Sequence, residues 1–160
     1  MIKPDSLRAH LTEALPDLQR NPERLLVFID RGSLVANFGA SASFEYQYTL
    51  NLILTEFAGH PDAVMVPLLV WLQQHQPELL LNPSGRGQIT FEADILDHGK
   101  VDLDIKIPLT ERVGVRARPG GGFDVEHYPE PPVTEPALTA EHWQVFLRDE
   151  LIAEWHVRPR

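Results

Sequence analysis

His60-Pro61-Asp62 sets an imidazole two residues from a carboxylate, the pairing that general acid/base chemistry uses. It also stands just ahead of an apolar run with helical spacing, where an Asp commonly caps a helix and complements its positive end, and this structural role is the preferred reading. Asp94, Asp97 and His98, with Asp102 and Asp104, have the residue types of a cation site. The alternating oxygens, central glycine and twelfth-place glutamate of a calcium loop are absent, so a solvated acidic sheet edge is preferred. The seven histidines, at positions 10, 60, 75, 98, 127, 142 and 156, contain no His-Glu-x-x-His pair. No serine sits in Gly-x-Ser-x-Gly, and Gly120-Gly121-Gly122 leads into Phe123-Asp124 rather than the Lys and Ser or Thr of a phosphate loop. With no cysteine there is no disulfide, thiolate nucleophile or Cys-ligated metal. The residues predict no catalytic site, no cofactor and no metal; a metal-dependent or acid/base enzyme built on His60, Asp62, Asp94 and Asp97 is the weaker alternative.

The charge balance, 14 basic against 23 acidic residues and a formal −9, disfavours a surface that grips phosphates. Arg112, Arg116 and Arg118 share one strand parity and form the single local exception. They face DNA in a channel, or they pair with the acidic surface; the paired, solvated face is preferred. A chain of 160 residues that is 43% apolar fits one compact body. No apolar stretch reaches the ~18 residues of a membrane span. The first 18 residues carry charges and lack the apolar centre of a secretion signal, so a cytoplasmic location is expected.

Pro4 suits a first helical turn, and Leu7, Leu11, Ala14, Leu15 and Leu18 then recur at three- and four-residue spacing, predicting an amphipathic helix that stops near Pro16. The run Leu25–Ile29 predicts a buried strand, Arg31-Gly32-Ser33 a turn, and Leu34 to Phe38 a second extended piece. Phe44, Tyr46, Tyr48, Leu50, Leu52 and Leu54 alternate with polar residues in the clearest long strand. Val64, Leu68, Leu69, Trp71, Leu72 and His75 suit a second helix ending before Pro77, with Pro67 inviting irregularity early in it. Three further strands are predicted at 88–96, 100–109 and 111–118, broken at Asp97-His98-Gly99 and around Pro108, and a fourth at 123–128 after the glycine turn. The alternation Val101, Leu103, Ile105, Ile107 against Asp102, Asp104, Lys106 predicts a half-exposed antiparallel sheet.

Four prolines between Pro129 and Pro136 exclude a regular helix or central strand there. Beyond them, Trp143, Phe146, Leu147, Leu151 and Trp155 would stripe a helix. Trp143, Val145 and Leu147 also alternate, with Asp149-Glu150 as a turn, and a β-hairpin is the preferred reading. The division expected is an α+β core at 1–128, a proline-rich linker or arm at 129–137 and a C-terminal hairpin segment at 138–160. Trp143, Phe146 and Trp155 either fold back as core or anchor a neighbouring subunit, since aromatic residues are favoured at interface centres.

Read together, several stretches resemble the tail completion protein R family of temperate, contractile-tailed phages of the peduovirus type and related prophages. They are Met1–Arg8, Arg24–Asp30, Tyr46–Leu54, Phe57–Asp62, Trp71-Leu72 with His75–Leu80, Phe91–Asp97, Pro108–Val113, Trp143 and Ala153–Trp155. The resemblance implies a non-enzymatic protein that acts late in tail assembly and finishes the head-proximal end of the tail for joining to the filled head. By analogy with tail terminators of other phages it implies a terminator-like fold, mainly antiparallel sheet packed with two helices, in a hexameric ring of identical subunits. The partners implied are the tail tube and sheath proteins, a second tail completion protein and the head connector. DNA passes only through the lumen, no membrane is involved, and the locations are the virion tail and, during assembly, the host cytoplasm. A transient assembly adaptor or chaperone is the alternative.

Overall fold

The computed structural model describes residues 1–36, 39, 41–85, 87–131 and 141–156. Helix α1 (Lys3–Ala14) buries Leu7, Leu11 and Ala14. The residue before a proline is driven out of the helical region, and Leu15 accordingly turns extended before α2 (Pro16–Arg20). Strand β1 (Leu25–Ala36) and strand β2 (Phe44–Phe57) form a long antiparallel hairpin. Helix α3 (Asp62–His75) and the short α4 (Glu78–Leu81) follow, then β3 (Thr90–Ile95), β4 (Val101–Ala117) and β5 (Phe123–His127). A separate hairpin, β6 (His142–Leu147) and β7 (Glu150–His156), completes the chain's described elements.

The sheet runs β1-β2-β4-β3, with β5 beside the far half of β4, and every pairing is antiparallel. Period-two alternation places Tyr48, Leu50, Leu52 and Leu54 of β2 and Leu103, Ile105, Ile107 and Leu109 of β4 on one dry face, all at most 5% exposed. α1 and α3 pack on that face in one hydrophobic cluster, and β7 packs against both helices. Ala153 and Trp155 thereby join the same hydrophobic cluster as the sheet. His10 of α1 meets the Trp155 ring edge-on at 5.6 Å, and Trp143 stacks on Trp155 at 6.3 Å.

Four local expectations change. Arg31-Gly32-Ser33 is no turn: β1 continues through it, and a bulge between Ile29 and Arg31 absorbs the extra residue so that the register with β2 resumes. Leu25–Ile29 is an edge strand rather than a buried one, with Leu26 and Phe28 half-exposed. Pro108 does not break β4. Its neighbour two residues on, Thr110, turns its N–H away from β2 to the Gln76 side chain, so the ring nitrogen of Pro108 also faces away from β2, at a point that neither β3 nor β5 reaches. The hairpin turn is Arg148-Asp149, both at positive φ (48° and 66°), one residue earlier than Asp149-Glu150. Pro67 is accommodated inside α3, where the ring of His10 hydrogen-bonds its carbonyl at 3.0 Å. Of the predicted arm, Pro129 to Pro131 is described, while 132–137, like 37–38 of the predicted second extended piece, lies outside the described residues.

Candidate functional site

The residues first weighed for catalysis meet at most in pairs and are not gathered into one site. His60 Nδ1 accepts the Asp62 backbone N–H at 3.2 Å and faces its carboxylate at 3.2 Å, in the open at the start of α3. Asp102 accepts the Glu56 backbone N–H at 2.6 Å and lies opposite Asp94 in the β3–β4 register, Asp104 lies 4.0 Å from Lys106, and Asp97 sits in the turn between β3 and β4. Among the described residues no group of three His, Asp or Glu is spaced to hold a metal ion. No helix among them is long and apolar enough to cross a membrane.

A polar cluster does form where α1 begins, around a cleft of about 250 Å³. At its centre is Glu111, only 3% exposed on the dry face of β4. Its carboxylate accepts the backbone N–H of Ile2 (2.8 Å) and of Lys3 (3.2 Å) and the Tyr48 hydroxyl (2.5 Å), and it pairs with His127 Nδ1 (3.0 Å). Burial alone would raise its pKa; the Tyr48 hydroxyl and the two backbone donors outweigh that and hold it below the ordinary value. Tyr48 is pushed well above the usual phenol range, by burial first and by Glu111 second. Glu111 thus satisfies the open N-terminus of α1 from another element, replacing a local side-chain cap that α1 lacks.

The same cluster clamps the base of the proline-rich arm. Buried Lys3 reaches Gln76 (2.7 Å) and Glu130 (3.0 Å), and Arg112 approaches Glu130 at 3.8 Å. Tyr128 donates its N–H to the Arg112 carbonyl and lays its ring over Gly114, where an added Cβ would come within 2.1 Å of the Tyr128 hydroxyl. None of Lys3, Gln76, Glu111, Gly114 or His127 was singled out by sequence reasoning. The available signal was Glu111 itself, a lone charge on the apolar parity of β4.

Beyond this cluster the helices no longer cover the sheet. Leu34 of β1, Phe123 and Val125 of β5 are 62–65% exposed, and Phe44, Tyr46 and Val115 are partly so. The registers Leu34 to Tyr46, Phe44 to Val113 and Val115 to Val125 put all of them on the dry parity. The opposite face of that end carries the arginines. Arg112 pairs with Glu130 and Arg118, just past the end of β4, with Asp124, while Arg116 has no ion pair among the described residues. Of the three aromatic residues expected at an interface, Trp155 is 1% exposed inside this chain, Trp143 is half-buried against it, and Phe146 projects outward beside Leu151.

A sheet whose apolar face outruns its helices, with an anchored arm at the boundary, defines the class: an α+β protein that presents contact surface to other proteins. Residues 1–131 match the family described as P2 phage tail completion protein R. The chain is also 40% identical over 156 residues to tail completion protein R of Escherichia phage P2, covering 97% of this chain and 99% of that one. The chain belongs to the tail completion protein R family. No solved structure matches it.

Proposed function

We propose that the chain caps the head-proximal end of the phage tail tube as a hexameric ring and prepares that end to join the head. The observation that supports this reading best is the uncovered apolar half of the sheet, which a member of a tail completion family would use against copies of itself and the tube. Phe146 supplies a second exposed contact, backed by Trp143 and Trp155 from within, and Arg112, Arg116 and Arg118 lie on the face turned to the tube or the DNA channel. The formal charge of −9 favours a lumen through which DNA slides without sticking. The partners of this reading are the tube and sheath proteins, a second completion protein and the head connector, met in the host cytoplasm; the chain works by shape and makes or breaks no bond.

Electron microscopy of tails made without this chain is the test. Tubes of variable, overgrown length are expected; tails of normal length that join heads would overturn the proposal. Mass spectrometry of finished particles separates it from a transient adaptor, which would be missing from them.

A further inference from the structure

The uncovered end of the sheet has two edges that no other described strand pairs with. On one side is the far half of β1, with β2 as its strand neighbour; on the other is β5, held by β4. Neither strand carries the Lys or Pro that proteins place on edges to block further pairing. Along the row Ala36, Phe44, Val113, His127 the strands run β1-β2-β4-β5, with the rest of β5 continuing past the end of β1, so directions alternate and the count is even. A second copy related by rotation, with its apolar face on the same side, therefore brings its β1 alongside β5 in the antiparallel sense. An odd count would have set the two edges parallel.

We propose that β1 of one copy pairs with β5 of the next, head to tail, and that this joint builds the ring; the inference deepens the ring reading above and rests on it. Side-chain chemistry agrees on both faces. Leu34 on one edge and Phe123 and Val125 on the other share a parity, and the joint covers them with each other. On the reverse face, Arg31 of β1 and Glu126 of β5 are exposed and have no ion pair among the described residues; the joint sets these opposite charges on adjoining strands. Leu34, Phe123 and Val125, each more than half exposed, together supply on the order of a few hundred Å² to the joint, a part of the ~800 Å² per partner in stable interfaces. The two edges are unlike, so the contact is heterologous and closes when the rotation fits.

The chain has no cysteine, so introduced thiols report the joint directly. Ser33→Cys on β1 and Asp124→Cys on β5, both exposed and opposite each other when Arg31 meets Glu126, are combined and treated with a short bismaleimide, in solution and on purified tails. A covalent ladder in the double variant alone is expected. Strong dimers from S33C alone would indicate a twofold β1–β1 contact and overturn the joint. Rings seen by native mass spectrometry without a ladder would overturn the joint and leave the ring reading standing; absence of rings in solution and on tails would remove both. As a second arm, Arg31→Glu and Glu126→Arg are each expected to weaken assembly, and the double charge swap to restore it; failure of the swap to restore it overturns the pairing.

Discussion

Glu111→Gln tests whether the buried carboxylate holds the start of α1, β2, β4 and β5 together. An amide keeps one acceptor oxygen, enough for the Lys3 N–H and the Tyr48 hydroxyl that now share Oε1. Its NH₂ then faces the Ile2 N–H, which loses its acceptor, while His127 can adapt by changing tautomer. An orphaned buried donor costs about 1–3 kcal/mol, and bonds to a charged acceptor are worth about 1.5–3 kcal/mol against about 1 for neutral ones. Relief from burying a charge offsets part of this. The expected loss is about 2–3 kcal/mol at neutral pH, a fall in Tm of about 5–10 °C for a domain of this size. The sign with pH follows from the lowered pKa: the stabilisation is present above the ordinary value of 4.5 and is lost as pH falls through the lower value in the fold. Urea unfolding of parent and variant at neutral pH and again below pH 4.5 measures both quantities. A variant within about 0.5 kcal/mol of the parent at neutral pH, or a gap that does not narrow in acid, would refute the reasoning.

Three further outcomes are expected. Trp155 is buried with its indole N–H unpartnered among the described residues, so Trp155→Phe, which removes that N–H, should cost under about 1 kcal/mol, whereas Trp155→Ala should cost about 3–5 kcal/mol in the same denaturant assay. Arg148 and Asp149 both adopt the left-handed conformation, so Arg148→Asn with Asp149→Gly should stabilise the hairpin by about 0.5–1 kcal/mol, read as a higher Tm. His10 has its pKa lowered by burial, against the opposing pull of the Pro67 carbonyl and Glu13. The unfolded chain therefore takes up the proton first, stability should decline as pH drops below 6.5, and His10→Gln should flatten that decline in urea midpoints measured between neutral pH and about pH 5.

Local chemistry was legible where one face of an element is dry. The apolar parity of Phe44–Leu54 and of Val101–Ile107, the leucine spacing of α1 and the alternation in the final hairpin each depend on only a few neighbouring residues, and each element formed where it was expected. The turn expected at Arg31-Gly32-Ser33 failed because pairing with β2 along the whole edge outweighs a local turn preference, and the break expected at Pro108 failed because a proline is tolerated where its missing N–H faces no strand.

That supposed break also concealed Glu111. Once β4 is a single strand, Glu111 falls on the parity of Leu109 and Val113, and a charge there must find partners inside the fold. Periodicity assigns residues to a face but does not say what covers that face. Trp155 and Val125 both read as apolar positions on alternating strands; helix α1 closes over the first, and the second stays exposed among the described residues. Coverage depends on contacts between segments a hundred or more residues apart in sequence, so only the tertiary structure could separate the residues that fill this core from those left exposed.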